Sequence, residues 1–199
     1  MKVLTYMRGK IMRNENLIEK TVESESIYDG RVLHVYCDTV SLPDGNLSKR
    51  EYAKHKGAVA VVPLTDEGEV ICVRQYRYAH RKVLLEIPAG KLDSFEEDFI
   101  SAATRELREE TGATCKKLEF IGDLISTPAL IDEVIHMYLA RGLEFGETDP
   151  DEDEFLDVVK IPLEELVRMV MNGEIKDSKT QTAILKTYFI LQSEKNNKE

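Results

Sequence analysis

The stretch GKLDSFEEDFISAATRELREETGA, residues 90–113, decides how the rest of the chain is read. A helix turns about 100° per residue. In the run Arg105-Glu106-Leu107-Arg108-Glu109-Glu110, the side chains of Glu106, Glu109 and Glu110 therefore share about a third of the helix circumference. Ile100, Ala103 and Leu107 recur at helical spacing and give the same helix an apolar face. Ser94 followed by Glu97 fits a capping box at the helix start. Gly112 stands where helices end in the left-handed conformation. Upstream, Leu84–Ile87 reads as an apolar strand and Pro88-Ala89-Gly90 as the turn after it. The unit is strand, loop, helix, with a core face and an acid face on one helix.

Three carboxylates on one arc repel one another. A cation among them removes the repulsion, and hard divalent ions such as Mg²⁺ take oxygen ligands of this kind. A solvated acidic face is the ordinary outcome of a bare charge run. The arginine, the two glycines and the preceding strand set this run apart.

The remainder of the 199 residues sets bounds. Hydrophobic content of 42% and charged content of 32% fit a globular chain, read as one domain with a small N-terminal subdomain. The formal charge of −10 is local: residues 144–157 carry eight acids and no base, and residues 96–110 carry six acids against two bases. That distribution speaks against a nucleic-acid surface. No stretch reaches the ~20 apolar residues of a membrane span. Cys37, Cys72 and Cys115 show no CxxC spacing and read as reduced structural thiols of a cytoplasmic protein. His34, His55, His80 and His136 form no ligand cluster.

Along the chain, residues 1–23 read as an N-terminal tail. Residues 24–55 read as a β-hairpin subdomain turning at Pro43-Asp44-Gly45-Asn46. Residues 56–199 read as the main domain. A hairpin of that size needs something to pack on in water. In the main domain, strands are expected over Gly57–Pro63, Glu69–Tyr76, Leu84–Ile87, Leu118–Ile125, Val134–Ala140 and Phe155–Ile161. A helix is bracketed by Pro162 and Gly173. Another opens on a Ser178/Gln181 capping box. Spacing alone gives α+β or α/β: a mixed sheet flanked by helices.

The 90–113 stretch resembles the Nudix box, G-x5-E-x7-R-E-U-x-E-E-x-G-U, where U is a bulky apolar residue. It matches at Gly90, Arg105-Glu106-Leu107, Glu109-Glu110 and Gly112. It departs by one extra residue in the loop, so the first Glu is Glu96 counted from Gly90 and Glu97 counted from Arg105. It departs again in the small Ala113. The runs SLPDG, REYAKHKGAVAVVPL, VRQYRYA, LLEIPAGKLD and PDEDEFLDV are similar to the ADP-ribose pyrophosphatase branch of the family, over about residues 27–190. The resemblance implies the Nudix fold, an α/β/α sandwich with a small N-terminal antiparallel β subdomain. It implies a homodimer in which the N-terminal strands are swapped.

What the resemblance implies for the site is specific. Glu106 and Glu110, with Glu109 as a third, hold two or three Mg²⁺ ions (or Mn²⁺) together with the carbonyl oxygen of Ala89. Arg105 orients Glu106 or its neighbours. Arg77 meets the substrate diphosphate, and Arg50 is donated by the swapped strand. Tyr28 stands where an aromatic faces the adenine. Leu130 and Glu133 stand at the ribose loop, where Pro128-Ala129-Leu130 replaces the usual Pro-Gly-Phe. On the acidic loop, Glu152 is the general base and Glu154 its helper. The expected substrate is ADP-ribose or another nucleoside diphosphate sugar. The alternatives are hydrolysis of a GDP-sugar or a dinucleotide, and a non-catalytic Nudix-fold binding module.

Overall fold

The structure, a computed structural model, describes residues 17–146 and 155–197. They fall into two units. One runs to His55 and takes in Ala129–Ile131; the other comprises Lys56–Pro128 and the chain from Asp132 onward.

The first unit is a three-stranded antiparallel sheet in the order β1-β2-β3: β1 (Lys20–Asp29), β2 (His34–Ser41) and β3 (Leu47–Lys54). The turn joining β2 to β3 has Gly45 at φ 88°, where a β-carbon would be strained. A tail to residue 23 and a two-stranded hairpin after it were expected; β1 starts at Lys20 instead. Its sequence KTVESESIYD is exposed at every position. It is held by backbone pairing along β2, from Lys20–Ser41 to Asp29–His34. Ala53 also donates its N–H to the Leu130 carbonyl at 2.8 Å, which ties the 129–131 segment to this sheet.

In the second unit the chain runs β4 (Ala58–Pro63), β5 (Glu69–Arg77), β6 (Lys82–Glu86), β7 (Ala89–Lys91), α1 (Phe99–Thr111), β8 (Ala113–Leu124), β9 (Ile135–Phe145), β10 (Leu156–Pro162), α2 (Leu163–Met171) and α3 (Ser178–Asn196). One sheet has the order β7-β4-β9-β8, with β4 and β9 parallel and its other pairs antiparallel. A second, antiparallel sheet has the order β10-β5-β6.

The layering follows from β4, whose run AVAVVP is buried at every position. Such a run suits a strand covered on both faces. Val59 and Val61 face Leu92, Ala102, Ala103 and Leu107, so α1 covers one side. Ala60 and Val62 face Cys72 of β5, Leu166 of α2 and Ile184 of α3 on the other. This is the expected α/β/α layering around a mixed sheet. Burying a side chain such as Leu107 contributes about 1.5–3 kcal/mol, and it fixes α1 to the sheet.

Three local expectations are corrected. The N-cap of α1 is Asp98, not Ser94: its Oδ2 accepts from the Ser101 N–H at 2.9 Å. Likewise α3 is capped by Asp177, which accepts from the Thr180 N–H at 2.9 Å. In both places the oxygen comes from an aspartate, four residues after Ser94 in one case and just before Ser178 in the other. Ile100, expected on the apolar face of α1, is exposed, and Ala102 takes its place in the core. The left-handed close at Gly112 (φ 67°) is as expected, with its N–H donated to the Arg108 carbonyl.

Candidate active site

The buried face of α1 carries more than apolar groups. Glu106 is 8% exposed and Glu110 only 4%. A buried charge is costly unless it is paired. For Glu106 that pairing comes from Arg105, whose Nη1 donates to Glu106 Oε1 at 2.7 Å and also to Glu109 Oε2 at 3.0 Å. Its other nitrogens donate to Glu97 Oε1 and to the Lys91 carbonyl. Burial pulls the Arg105 guanidinium down, and the charges and hydrogen bonds of Glu106 and Glu109 more than offset this, raising its pKa. One guanidinium thus fixes the loop before α1 and two of its carboxylates.

Glu97 accepts the Asp93 N–H at 2.6 Å and faces Arg105, so it joins loop to helix rather than capping α1. The family spacing counted back from Arg105 is therefore the one that corresponds to a contact. In the same loop the Glu96 N–H donates to Ser94 Oγ at 3.3 Å.

Gly90 has a steric reason. A β-carbon there would lie 1.9 Å from Glu106 Oε1 and 2.0 Å from its carboxyl carbon. The Glu106 carboxylate occupies the space that any other residue would fill. Next to it, the Ala89 N–H donates to Glu110 Oε1 at 3.4 Å. Strand β7 and helix α1 so bring Ala89, Gly90, Glu106 and Glu110 together.

Arg77, expected at the diphosphate, is gripped by a residue that the sequence reading left unassigned. Its Nε and Nη2 donate to the two oxygens of Glu86 at 2.8 and 2.7 Å. Glu86 is 1% exposed, and its Oε2 also pairs with Lys179 of α3. Burial pushes the Glu86 carboxyl up, but Arg77 and Lys179 outweigh it and hold it at about 2. The Arg77 guanidinium is raised by its bond to Glu86, with further contributions from the charges of Glu110 and Asp177. The signal for Glu86 was a charged residue inside the apolar run VLLEIP, since a carboxylate there must be paired.

The donor set is one of hard oxygens: Glu106 and Glu110, with Glu109 beside them on α1 and the Ala89 peptide next to Glu110. Such a set suits Mg²⁺ or Mn²⁺. Among the described residues no three acidic, imidazole or thiol side chains gather into a finished cage.

The other expected site residues are placed as follows. Arg50, Tyr28 and Leu130 belong to the first unit. Arg50 is ion-paired with Glu19 at 2.6 Å, while Tyr28 and Leu130 are exposed. Glu133 belongs to the second unit and accepts from Ser126 Oγ at 3.1 Å. Glu152 and Glu154 lie outside the described residues. Two of the histidines have structural partners: His34 pairs with Asp29, and His136 pairs with Asp123 and stacks on Phe99.

Residues 54–181 match the model of the NUDIX domain, and residues 19–53 match that of the nucleoside diphosphate sugar hydrolase N-terminal domain. The chain is 45% identical over 172 residues to an ADP-ribose pyrophosphatase of Bacillus subtilis (strain 168), covering 85% of this chain and 92% of the relative. It is 43% identical over 168 residues to a methanol dehydrogenase activator of Bacillus methanolicus, covering 83% and 90%. A crystal structure of an ADP compounds hydrolase superposes with a TM-score of 0.78 at 22% identity, covering 88% of this chain and 95% of that one, which is a likeness of fold. The match over the box and the shape around it leave one conclusion: the chain belongs to the Nudix hydrolase family.

Proposed function

We propose that this Nudix hydrolase cleaves the diphosphate of ADP-ribose, or of a related ADP-sugar, to AMP and a sugar phosphate, ribose 5-phosphate in the case of ADP-ribose. The observation that carries the reaction class is the packing of the Glu106 carboxylate into the space over Gly90, beside the buried Glu110. The substrate rests on the relative from Bacillus subtilis named for ADP-ribose.

In this reading Glu106, Glu109 and Glu110, with the Ala89 carbonyl, hold two or three Mg²⁺ or Mn²⁺ ions. Bound there, such ions neutralise the diphosphate and lower the pKa of a water. Arg105 keeps Glu106 and Glu109 aligned by charge-assisted bonds. Arg77 meets the diphosphate with the guanidinium edge that Glu86 leaves uncovered. By the resemblance, Glu152 takes the proton of the attacking water and Glu154 assists.

The first unit supports a homodimer. β1 is exposed along its whole length, Val22, Ile27 and Tyr28 included. Exposed apolar side chains on a marginal sheet call for a partner, and a second copy of this sheet would supply one. Arg50 and Tyr28 would then serve the partner's phosphates and adenine, and Leu130 and Glu133 would stand at the ribose. Three free thiols, Cys37, Cys72 and Cys115, suit the cytoplasm. Among the described residues no helix is long and apolar enough to cross a membrane.

The test is a panel of ADP-ribose, other ADP-sugars, GDP-sugars and dinucleotides with Mg²⁺, read as nucleoside monophosphate released. ADP-ribose should be turned over with the highest kcat/KM. Preference for a GDP-sugar or a dinucleotide would refute the substrate, and no turnover of any would leave a binding module.

A further inference from the structure

The strand register poses a problem that Glu86 solves. In the β5–β6 ladder, Arg77 lies opposite Lys82, whereas Glu86 lies opposite Val73, four residues further back. Four residues of strand span about 13 Å. Arg77 and Glu86 are on the same face of the sheet: Arg77 shares a parity with Val73 in β5, and Glu86 lies opposite Val73. The Arg77 side chain must therefore run back along the sheet, away from its own strand end, to reach Glu86. The place it reaches adjoins Ile87-Pro88-Ala89-Gly90, the segment that leads to the α1 carboxylates.

Nothing in Arg77 itself favours that course. A long side chain at the end of a strand gains entropy by turning into water. The force that draws it back is the bidentate pair with a carboxylate that is 1% exposed. That carboxylate is fixed in turn. Lys179 pairs with its Oε2 and with Asp177 at 3.1 Å. Thr180 Oγ1 accepts the Ile87 N–H at 2.9 Å and donates to Asp177 at 2.6 Å. The start of α3 and the end of β6 are thus tied together around Glu86. The bonds to Glu86 use Nε and Nη2 of Arg77. The edge formed by Nη1 and the second N–H of Nη2 keeps the paired-donor shape that fits two phosphate oxygens.

We infer that Glu86 is a positioning residue: anchored by Lys179, it draws the Arg77 guanidinium back along the sheet and sets its second edge for the substrate diphosphate. The inference rests on the reading that Arg77 meets that diphosphate.

The experiment is a double-mutant cycle with ADP-ribose and Mg²⁺, comparing the wild type, Arg77→Ala, Glu86→Gln and the double variant. Thermal melting is measured alongside. Misplacing a binding group by about 1 Å can cost about 10²-fold. Arg77→Ala should therefore lower kcat/KM by about 10²-fold, and Glu86→Gln by about 10- to 100-fold. Glu86→Gln should divide its loss between KM and kcat as Arg77→Ala does. The double variant should be no worse than Arg77→Ala alone. Losses that multiply would overturn the inference, because Glu86 would then act through something other than Arg77. So would Glu86→Gln with wild-type kinetics. A wild-type Arg77→Ala would instead sink the assignment of Arg77 to the diphosphate. If Glu86→Gln does not fold, Lys179→Met takes its place. It should lower kcat/KM in the wild type and have no further effect on Arg77→Ala; a loss that persists there overturns the inference.

Discussion

Replacing Gly90 by alanine separates the chemistry of the site from its stability. Gly90 is not among the glycines with positive φ, so its backbone accepts alanine. The obstacle is the Glu106 carboxylate, 1.9 Å from the new β-carbon, where ordinary contact begins at 3.4 Å. The carboxylate must retreat by about 1.5 Å, which strains its 2.7 Å bond to Arg105. A charged hydrogen bond contributes about 1.5–3 kcal/mol. Replacing a flexible glycine returns about 0.4–1 kcal/mol through the unfolded chain. The net loss is therefore about 1–2 kcal/mol, and the fold survives. If Glu106 holds metal as proposed, a shift of more than about 1 Å in its carboxylate costs far more in rate, about 10²-fold or beyond. The assay pairs urea denaturation with AMP release from ADP-ribose. A folded Gly90→Ala protein with kcat within about twofold of wild type would refute the reasoning, because Glu106 would then not need the place the structure gives it.

Other perturbations test separate parts of the account. Leu107→Ala empties a fully buried position between α1 and the sheet and should cost about 2–5 kcal/mol in urea denaturation; a loss below about 1 kcal/mol would contradict its place in the core. The Glu86 carboxyl is held at about 2, below its ordinary 4.5, so it stabilises the fold fully above pH 4.5 and loses that effect as pH falls toward 2. Wild-type stability relative to Glu86→Gln should accordingly shrink by about 3 kcal/mol between pH 5 and pH 2, and a constant difference would contradict the buried ion pair. Deleting residues 1–55 should abolish both dimer and activity; a fully active monomer by light scattering would rule out the partner's contribution.

Much of this was legible because burial leaves periodic marks. AVAVVP, a short apolar run ending at a turn, read as a buried strand, and Gly112, Pro162 and Gly173 mark helix boundaries by their backbone preferences. β1 was not legible: its alternation of Ser and Glu covers no core, and only pairing with β2 makes it a strand. The short β7 hid inside the Pro88-Ala89-Gly90 turn because three residues show no period. Ser94 and Ser178 each matched a capping pattern, but the residue immediately before each helix, Asp98 or Asp177, supplied the oxygen. The acid face of α1 was read from spacing; that Glu106 and Glu110 are buried in it was not, because charge patterning carries no depth. Glu86 went unassigned since its partner Arg77 is nine residues away and Lys179 ninety-three.

In the proposed function the α1 carboxylates make this chain a metal-dependent diphosphate hydrolase. Its most direct test is AMP release from ADP-ribose by wild type and Glu106→Gln in Mg²⁺, with EDTA as the control. The account predicts turnover by wild type that EDTA abolishes, and a folded Glu106→Gln protein slower by at least about 10²-fold. Wild-type turnover in excess EDTA, or by the Glu106→Gln variant, would contradict it.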